Sequence, residues 1–255
     1  SYQLLANPVT EDGLVAGVVL LLFDNTEKAD REKLRREFTA NVSHELKTPL
    51  TSISGFAEIM KNGMVKAEDV PRFANNIYDE AQRLISMVQD IIQLSRLDEA
   101  QETMEKTEVN VALIAETVAK RLEGQAAQRN IVFHIETESA VLSGVPHVLE
   151  EMIYNLCDNA IRYNKDNGSV TLKVEKHPDD ITVTVADTGI GIPYGEQERV
   201  FERFYRVSRS RSKEIDGTGL GLSIVKHGAL LHQATVKMES EVDKGTTIRL
   251  IFPNK

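Results

Sequence analysis

Apolar residues recur at three- and four-residue steps through Leu34, Phe38, Val42, Leu46, Leu50, Ile53, Ala57 and Met60, which predicts one helix from Asn25 to about Met60. After a break at Lys61-Asn-Gly63, the same spacing returns through Phe73, Ile77, Ala81, Leu84, Val88, Ile91 and Ser95, predicting a second helix from about Glu68 to Leu97. Two such helices form an antiparallel hairpin. One partner helix cannot cover two long stripes, so dimerisation into a four-helix bundle is the economical solution, with packing on the C-terminal domain as the alternative.

From about Thr107 the period changes repeatedly. Val109–Gly124, Pro146–Tyr163 and Gly221–Leu231 read as helices; Ile131–Glu136, Ser169–Glu175, Ile181–Ala186, Thr235–Glu239 and Thr246–Phe252 read as strands. Helices interleaved with antiparallel strand pairs predict a two-layer α/β sandwich, and the chain as a whole an α+β protein. At the other end, Tyr2-Gln-Leu-Leu-Ala and Val15–Phe23 flank a turn at Glu11-Asp-Gly13 and read as a strand pair. Two strands alone are marginal, which makes them the end of a truncated domain or a pair packed on a neighbour. The domains expected are therefore 1–24, 25–100 and 105–255.

Composition narrows the classes. The chain has 255 residues, 41% hydrophobic and 27% charged, which excludes a disordered or collagen-like chain. A single cysteine, Cys157, excludes an intrachain disulfide and fits a reducing compartment. With 30 Lys and Arg against 39 Asp and Glu, the net charge is −9, which disfavours nonspecific binding to nucleic acid. The apolar stretch Leu14–Phe23 has about half the ~20 residues that a membrane-spanning helix needs, so no membrane contact is expected from this fragment. The opening Ser-Tyr-Gln carries no basic leader and no initiator Met, which suggests a piece of something longer.

Four constellations carry chemistry. His44 lies two residues from both Val42 and Leu46, about 160° from the apolar stripe, so its imidazole faces solvent. Glu45 is adjacent, Thr48 returns to the same face one turn on, and Pro49 denies the Glu45 carbonyl its N–H partner and favours a bend. A neutral imidazole, with an ordinary pKa of about 6.5, is a nucleophile at cellular pH. In Asn155-Leu-Cys-Asp-Asn159, the two asparagines form an i, i+4 pair beside the buried face of Leu149, Met152, Leu156 and Ala160; their amide oxygens suit a hard cation completed by phosphates and water.

The third constellation, Ile181 to Pro193, is a strand ending in Asp187 and followed by Gly189 and Gly191. A buried aspartate there can accept from an exocyclic amine such as that of adenine. The fourth is Gly217-Thr-Gly219-Leu-Gly221 opening a helix, where backbone N–H groups cradle phosphate. It matches neither the Walker A pattern nor a Rossmann turn. Between the last two lies a basic run from Arg199 through Ser208-Arg-Ser-Arg-Ser-Lys213, which reads as a mobile lid over phosphates in preference to a nucleic-acid patch.

Together these residues resemble a sensor histidine kinase of two-component signalling, of the large membrane-sensor group. Phe38 to Leu50 resembles the H box, Asn155–Asn159 the N box, Asp187–Gly191 the G1 box, Phe201–Phe204 the F box and Gly217–Gly221 the G2 box, all in family order. The resemblance covers Asn25 to the C-terminus, and the first two dozen residues are similar to the last strands of a PAS domain. It implies a homodimeric helical hairpin carrying the phosphoacceptor, then an ATP-binding domain of the Bergerat (GHKL) type. Under it, His44 is the phosphoacceptor, Glu45 its acid/base, and Thr48 the residue that positions water for phosphatase activity on the regulator. Asn159, assisted by Asn155, would hold Mg2+, and Asp187 would hold adenine.

The nucleotide set carried over by position further includes Arg162, Tyr163 and Lys165 after the N box, with Gly189, Gly191 and Ile192 after Asp187. Phe204 and Arg206 join it, as do Gly217, Thr218, Gly219, Leu220 and Gly221. The implied partner is the receiver domain of a response regulator, and the implied setting is the cytoplasmic portion of a membrane-anchored protein. Thr51, Ser52, Gly55 and Phe56, just below His44, are implied to help choose the regulator. Three positions depart from the pattern: Asp216 for a frequent glycine, His232-Gln-Ala for His-Gly-Gly, and Val145 for a common acid. A degenerate ATP-binding module and a GHKL ATPase without phosphohistidine are the competing readings. An amide at position 155, where such ATPases usually carry a glutamate, cannot activate water as a base.

Overall fold

The computed structural model describes residues 2–11, 14–99, 104–207 and 217–254. The turn expected at Glu11-Asp-Gly13 lies partly outside the described residues; Ser208–Lys213 and Asp216 lie wholly outside them. The chain divides into two compact units, residues 1–77 and 78–255.

In the first unit, β1 (Tyr2–Glu11) and β2 (Leu14–Asp24) pair antiparallel, Tyr2 opposite Asp24 and Val9 opposite Gly17. Asp24 ends the hairpin by accepting from both the Thr26 N–H (2.9 Å) and hydroxyl (2.5 Å), which starts α1 (Thr26–Lys61). α1 runs unbroken through Pro49: proline removes one rung of the ladder while its neighbours hold the rest. The helix ends at Asn62 with Gly63 at φ +66, and a single 3-10 turn (Ala67–Asp69) leads into α2 (Val70–Glu99), the second arm of the helical hairpin. Phe56 and Phe73 close that end, ring edge to ring face at 5.6 Å, which makes Phe56 a packing residue. Leu34 and Leu50 of the α1 stripe remain 65% and 52% exposed in the single chain.

The second unit comprises the later part of α2 and the α/β domain. β3 (Thr107–Asn110) pairs antiparallel with β5 (Val141–Gly144), a strand the apolar pattern did not announce. The helix expected from Val109 therefore begins at Val111: Val109 and Asn110 are committed to β5, and the Asn110 side chain caps α3 (Val111–Gln128) by accepting from the Ala112 N–H at 3.1 Å. A five-stranded sheet follows, in the order β4-β6-β7-β9-β8, from Val132–Thr137, Ser169–Lys176, Asp180–Asp187, Gly245–Pro253 and Thr235–Glu241. All its pairs are antiparallel except β4–β6, which is parallel, because α4 (Pro146–Arg162) returns the chain between those two strands.

Alternation places Val170, Leu172 and Val174, Ile181, Val183 and Val185, and Leu250 and Phe252 on the buried face. α3, α4 and α5 (Gly221–Leu231) cover it. Gly228 lets α5 approach α4 closely, since a Cβ there would lie 2.6 Å from the Met152 sulfur. Cys157 is buried in this layer, and burial pushes its thiol well above the ordinary range, which makes it an inert core residue. Among the described residues, no helix is long and apolar enough to cross a membrane.

Candidate active site

On α1, the His44 side chain is 75% exposed, as its place opposite the stripe predicts. Its Nδ1 lies 3.6 Å from Glu45 Oε1, which leaves Nε2 as the outward nitrogen. Thr48 shares the face, and its hydroxyl donates to the His44 carbonyl at 3.3 Å.

In the second unit, one cavity of about 820 Å³ gathers most of the other candidates, a size suited to a nucleotide-sized ligand. α4 supplies Asn155, Asn159 and Arg162 along one wall, with Tyr163 at its end. Asn155 is oriented by its own helix: Nδ2 donates to the Glu151 carbonyl at 2.9 Å, which leaves Oδ1 toward Gly221, where a Cβ would lie 2.7 Å from it. Arg162 pairs with Asp158 at 2.6 Å, and Gln125 donates to the same carboxylate at 3.0 Å.

Asp187 closes the opposite end. One oxygen accepts from the Gly189 N–H (2.8 Å) and the Thr246 N–H (3.2 Å). Burial pushes the carboxyl up from 3.8 to about 6, with those two N–H groups opposing the rise. Gly191, at φ +65, sits where a Cβ would lie 2.0 Å from the Glu241 carbonyl oxygen, so only glycine lets the chain turn along the cavity.

The glycine turn 217–221 forms the third wall and leads into the N-terminus of α5. The Gly219 carbonyl accepts from the Phe204 N–H at 2.9 Å, and Phe204 takes a left-handed φ of +63, a strained conformation for a non-glycine residue. Arg206 donates to the Gly217 carbonyl at 3.1 Å.

Four of the expected nucleotide residues stand outside the cavity lining: Lys165, Gly189, Phe204 and Leu220. Lys165 is turned to Asp243, whose carbonyl accepts from its ammonium; Leu220 is fully buried core. Gly189 and Phe204 act through their N–H groups on Asp187 and Gly219. Conversely, α2 brings in Ser86 and Asp90, and the Asp90 carboxylate accepts from the Thr218 hydroxyl at 2.7 Å. Burial pushes Asp90 above the usual carboxylate range, with that hydrogen bond opposing. Tyr154, stacked under Arg121 at 4.4 Å, also joins the lining. Nothing in the local pattern of α2 marks Asp90; its role exists only through a contact 128 residues away in sequence.

Residues 34–100 match the His Kinase A (phospho-acceptor) domain, and residues 144–255 match the histidine kinase-, DNA gyrase B- and HSP90-like ATPase domain. The chain carries the domain pair of a sensor histidine kinase. Among histidine kinases of curated function, it is 35% identical over 248 residues to the sensor protein kinase WalK of Staphylococcus saprophyticus, covering 96% of this chain and 41% of that relative. It therefore spans less than half of that relative's length. The histidine kinase ThkA, solved in complex with the response regulator protein TrrA, superposes with a TM-score of 0.68 at 25% identity over 98% of this chain and 74% of that one. The Acinetobacter baumannii histidine kinase AdeS shares the fold, with a TM-score of 0.68 at 22% identity over 82% of this chain and 97% of its own.

The donor set decides what cation the kinase cavity suits. Among the described residues, no group of three or more His, Cys, Asp or Glu side chains could hold a metal ion. Two amides on the wall of the cavity fit Mg2+, which keeps waters and shares its shell with phosphate oxygens.

Proposed function

We propose that this chain is the kinase portion of a two-component sensor: it phosphorylates His44 from ATP and passes the phosphoryl group to an aspartate in the receiver domain of a response regulator. The observation that carries the reading is the exposed His44–Glu45 pair on the phosphoacceptor helix of a chain that also contains the ATPase-type cavity.

Nε2 attacks the γ-phosphorus, the bond from that phosphorus to the bridging oxygen breaks, and ADP leaves. Glu45, beside Nδ1, takes up the imidazole proton that the new bond makes acidic. Such transfer needs alignment and charge neutralisation more than covalent help. Asp187 accepts from the adenine amine, and the N–H groups of the 217–221 turn meet the phosphates, with Arg206 and Arg162 as nearby cations. Asn159, assisted by Asn155, would hold Mg2+, whose charge lowers the barrier by offsetting that of the phosphates.

The exposed part of the α1 stripe supports a homodimer, in which Leu34 and Leu50 find cover. Thr48, on the His44 face, supports the reverse activity, with its hydroxyl positioning water against the regulator's phosphoaspartate. The ThkA–TrrA complex supports a receiver domain as partner. In the whole protein this chain would be the cytoplasmic portion of a membrane-anchored sensor, with β1 and β2 as the last strands of a PAS-like domain.

The test is incubation with γ-labelled ATP and Mg2+, comparing the wild type with His44→Gln. An acid-labile, alkali-stable label that disappears in the variant is expected. Bound ATP without label would reduce the chain to a degenerate module, and hydrolysis indifferent to the substitution would make it an ATPase.

A further inference from the structure

Asn164 takes no part in the chemistry above, yet it is only 4% exposed and sits where α4 ends. Its Oδ1 accepts from the Lys165 N–H at 2.9 Å and from the Thr188 hydroxyl at 3.3 Å; its Nδ2 donates to the Ser169 carbonyl at 2.9 Å. The Thr188 oxygen in turn accepts from the Ser169 N–H at 2.9 Å, so that hydroxyl is used as donor and acceptor at once. Two residues further along the turn, the Ile190 N–H donates to the Tyr163 carbonyl at 3.1 Å.

The same helix end is gripped from behind. Arg129 donates to the carbonyls of Ile161 and Arg162 at 2.6 Å and of Asn164 at 3.0 Å, a cation on the negative end of α4. The joint has no slack: a Cβ at Gly168 would lie 2.2 Å from Asn164 Oδ1, and one at Gly189 would lie 2.3 Å from the Tyr163 carbonyl oxygen.

This joint connects the two ends of the cavity. α4 carries the amides of Asn155 and Asn159 at the phosphate end. The turn fastened to it carries Asp187, immediately before Thr188. We propose that Asn164 and Thr188 are positioning residues that set where the Asp187 carboxylate meets the base relative to the amide pair, and so set the preference for a 6-amino purine. The inference rests on the reading of Asp187 as acceptor of the adenine amine.

The experiment is isothermal titration calorimetry of the full chain with Mg-ATP and with Mg-inosine triphosphate, which lacks the 6-amino group. Valine has the shape of threonine without its hydroxyl; it strands the Ser169 N–H and leaves Asn164 Oδ1 with the Lys165 N–H but no bond to the turn. In Thr188→Val, affinity for ATP is expected to fall about tenfold and the ATP-to-ITP ratio to shrink with it, while Thr188→Ser restores both. A purely structural staple would lower the melting temperature and leave the ratio alone, and a wild-type ratio in Thr188→Val overturns the proposal. Should that variant not fold, Asn164→Asp keeps the acceptor for the Lys165 N–H and the Thr188 hydroxyl but loses the Nδ2 donor to the Ser169 carbonyl; an unchanged ratio there overturns it equally. A wild type that binds ATP and ITP alike removes the reading of Asp187 itself, and this inference with it, which separates the two failures.

Discussion

Nucleotide discrimination should titrate through Asp187 near pH 6. Burial at the end of β7 raises this carboxyl from 3.8 to about 6, against the two N–H groups of Gly189 and Thr246. Those donors hold one oxygen, so the other is the acceptor available to a base. A hydrogen bond from the adenine amine to an ionised carboxylate contributes about 1.5–3 kcal/mol, or roughly ten- to a hundredfold in affinity for ATP over ITP at pH 8. One unit below its pKa only about a tenth of the carboxyl remains ionised, so the preference should fall about tenfold by pH 5. The phosphates of the nucleotides also titrate in this range, but they do so alike in ATP and ITP and cancel in the ratio. Calorimetric affinities for both nucleotides at pH 5, 6, 7 and 8 should therefore give a ratio that rises with a midpoint near 6, and Asp187→Asn should flatten it. A flat wild-type ratio, or the same profile in the variant, refutes the reasoning. The linkage to folding runs the other way. A folded pKa raised above the unfolded value means that the stabilisation is complete below about pH 3.8 and is lost as pH rises through about 6, so without nucleotide Asp187 favours the folded state in acid.

Two further predictions concern the frame around the cavity. Gly221→Ala places a methyl 2.7 Å from Asn155 Oδ1, so that amide must swing away. Alanine suits a helix, and the expected result is a melting temperature within a few degrees of wild type alongside a Mg-ATP affinity lowered about tenfold by calorimetry, whereas unchanged affinity would remove Asn155 from the cation site. His232 is buried with Nε2 accepting from the Val145 N–H at 2.9 Å and Nδ1 bonded to the Gly228 carbonyl at 2.7 Å, which requires the neutral ring. Burial lowers its pKa below 6.5, so its contribution is whole above that value and is lost as pH falls toward the folded pKa; urea midpoints should drop between pH 7.5 and 5.5 in the wild type and less in His232→Gln.

In His232-Gln-Ala it is Gln233 and Ala234 that depart from the family pattern, while His232 matches it and accepts from the Val145 N–H just before α4. That contact joins positions 87 residues apart, which no single position of the sequence could reveal. The helices and the long strands were legible because burial on one face imposes a period of 3.6 or 2 that any reader can count. β3 and β5 were not, since four residues are too few for a period and their strand character comes from pairing with each other. The parallel β4–β6 pair was missed for a related reason: direction depends on which strands the chain returns to.

Within the candidate site the division follows what kind of constraint a position carries. Gly191 and Gly219 were legible because a close approach or a positive φ admits almost no other residue, so the constraint is written as a residue type. His44, Asp187 and the asparagine pair were legible because the chemistry proposed for them calls for those side chains. The Thr246 N–H that holds Asp187 comes from a strand 59 residues away and would be supplied by any residue but proline, so it leaves no trace in the sequence. Lys165 illustrates the converse: a cation in the expected place whose ammonium is held by the carbonyl of Asp243, a residue 78 positions on that itself lines the cavity. Asp90 and Asn164 are invisible for the same reason, one an ordinary polar residue on a helix and the other just past the end of one, until Thr218 and Thr188 meet them. The residues that shape the site are thus of two kinds, and those whose function is only to hold another residue emerge from the hydrogen-bond map alone, which is why the test of Asn164 and Thr188 must read the geometry of Asp187 and not the stability of the fold.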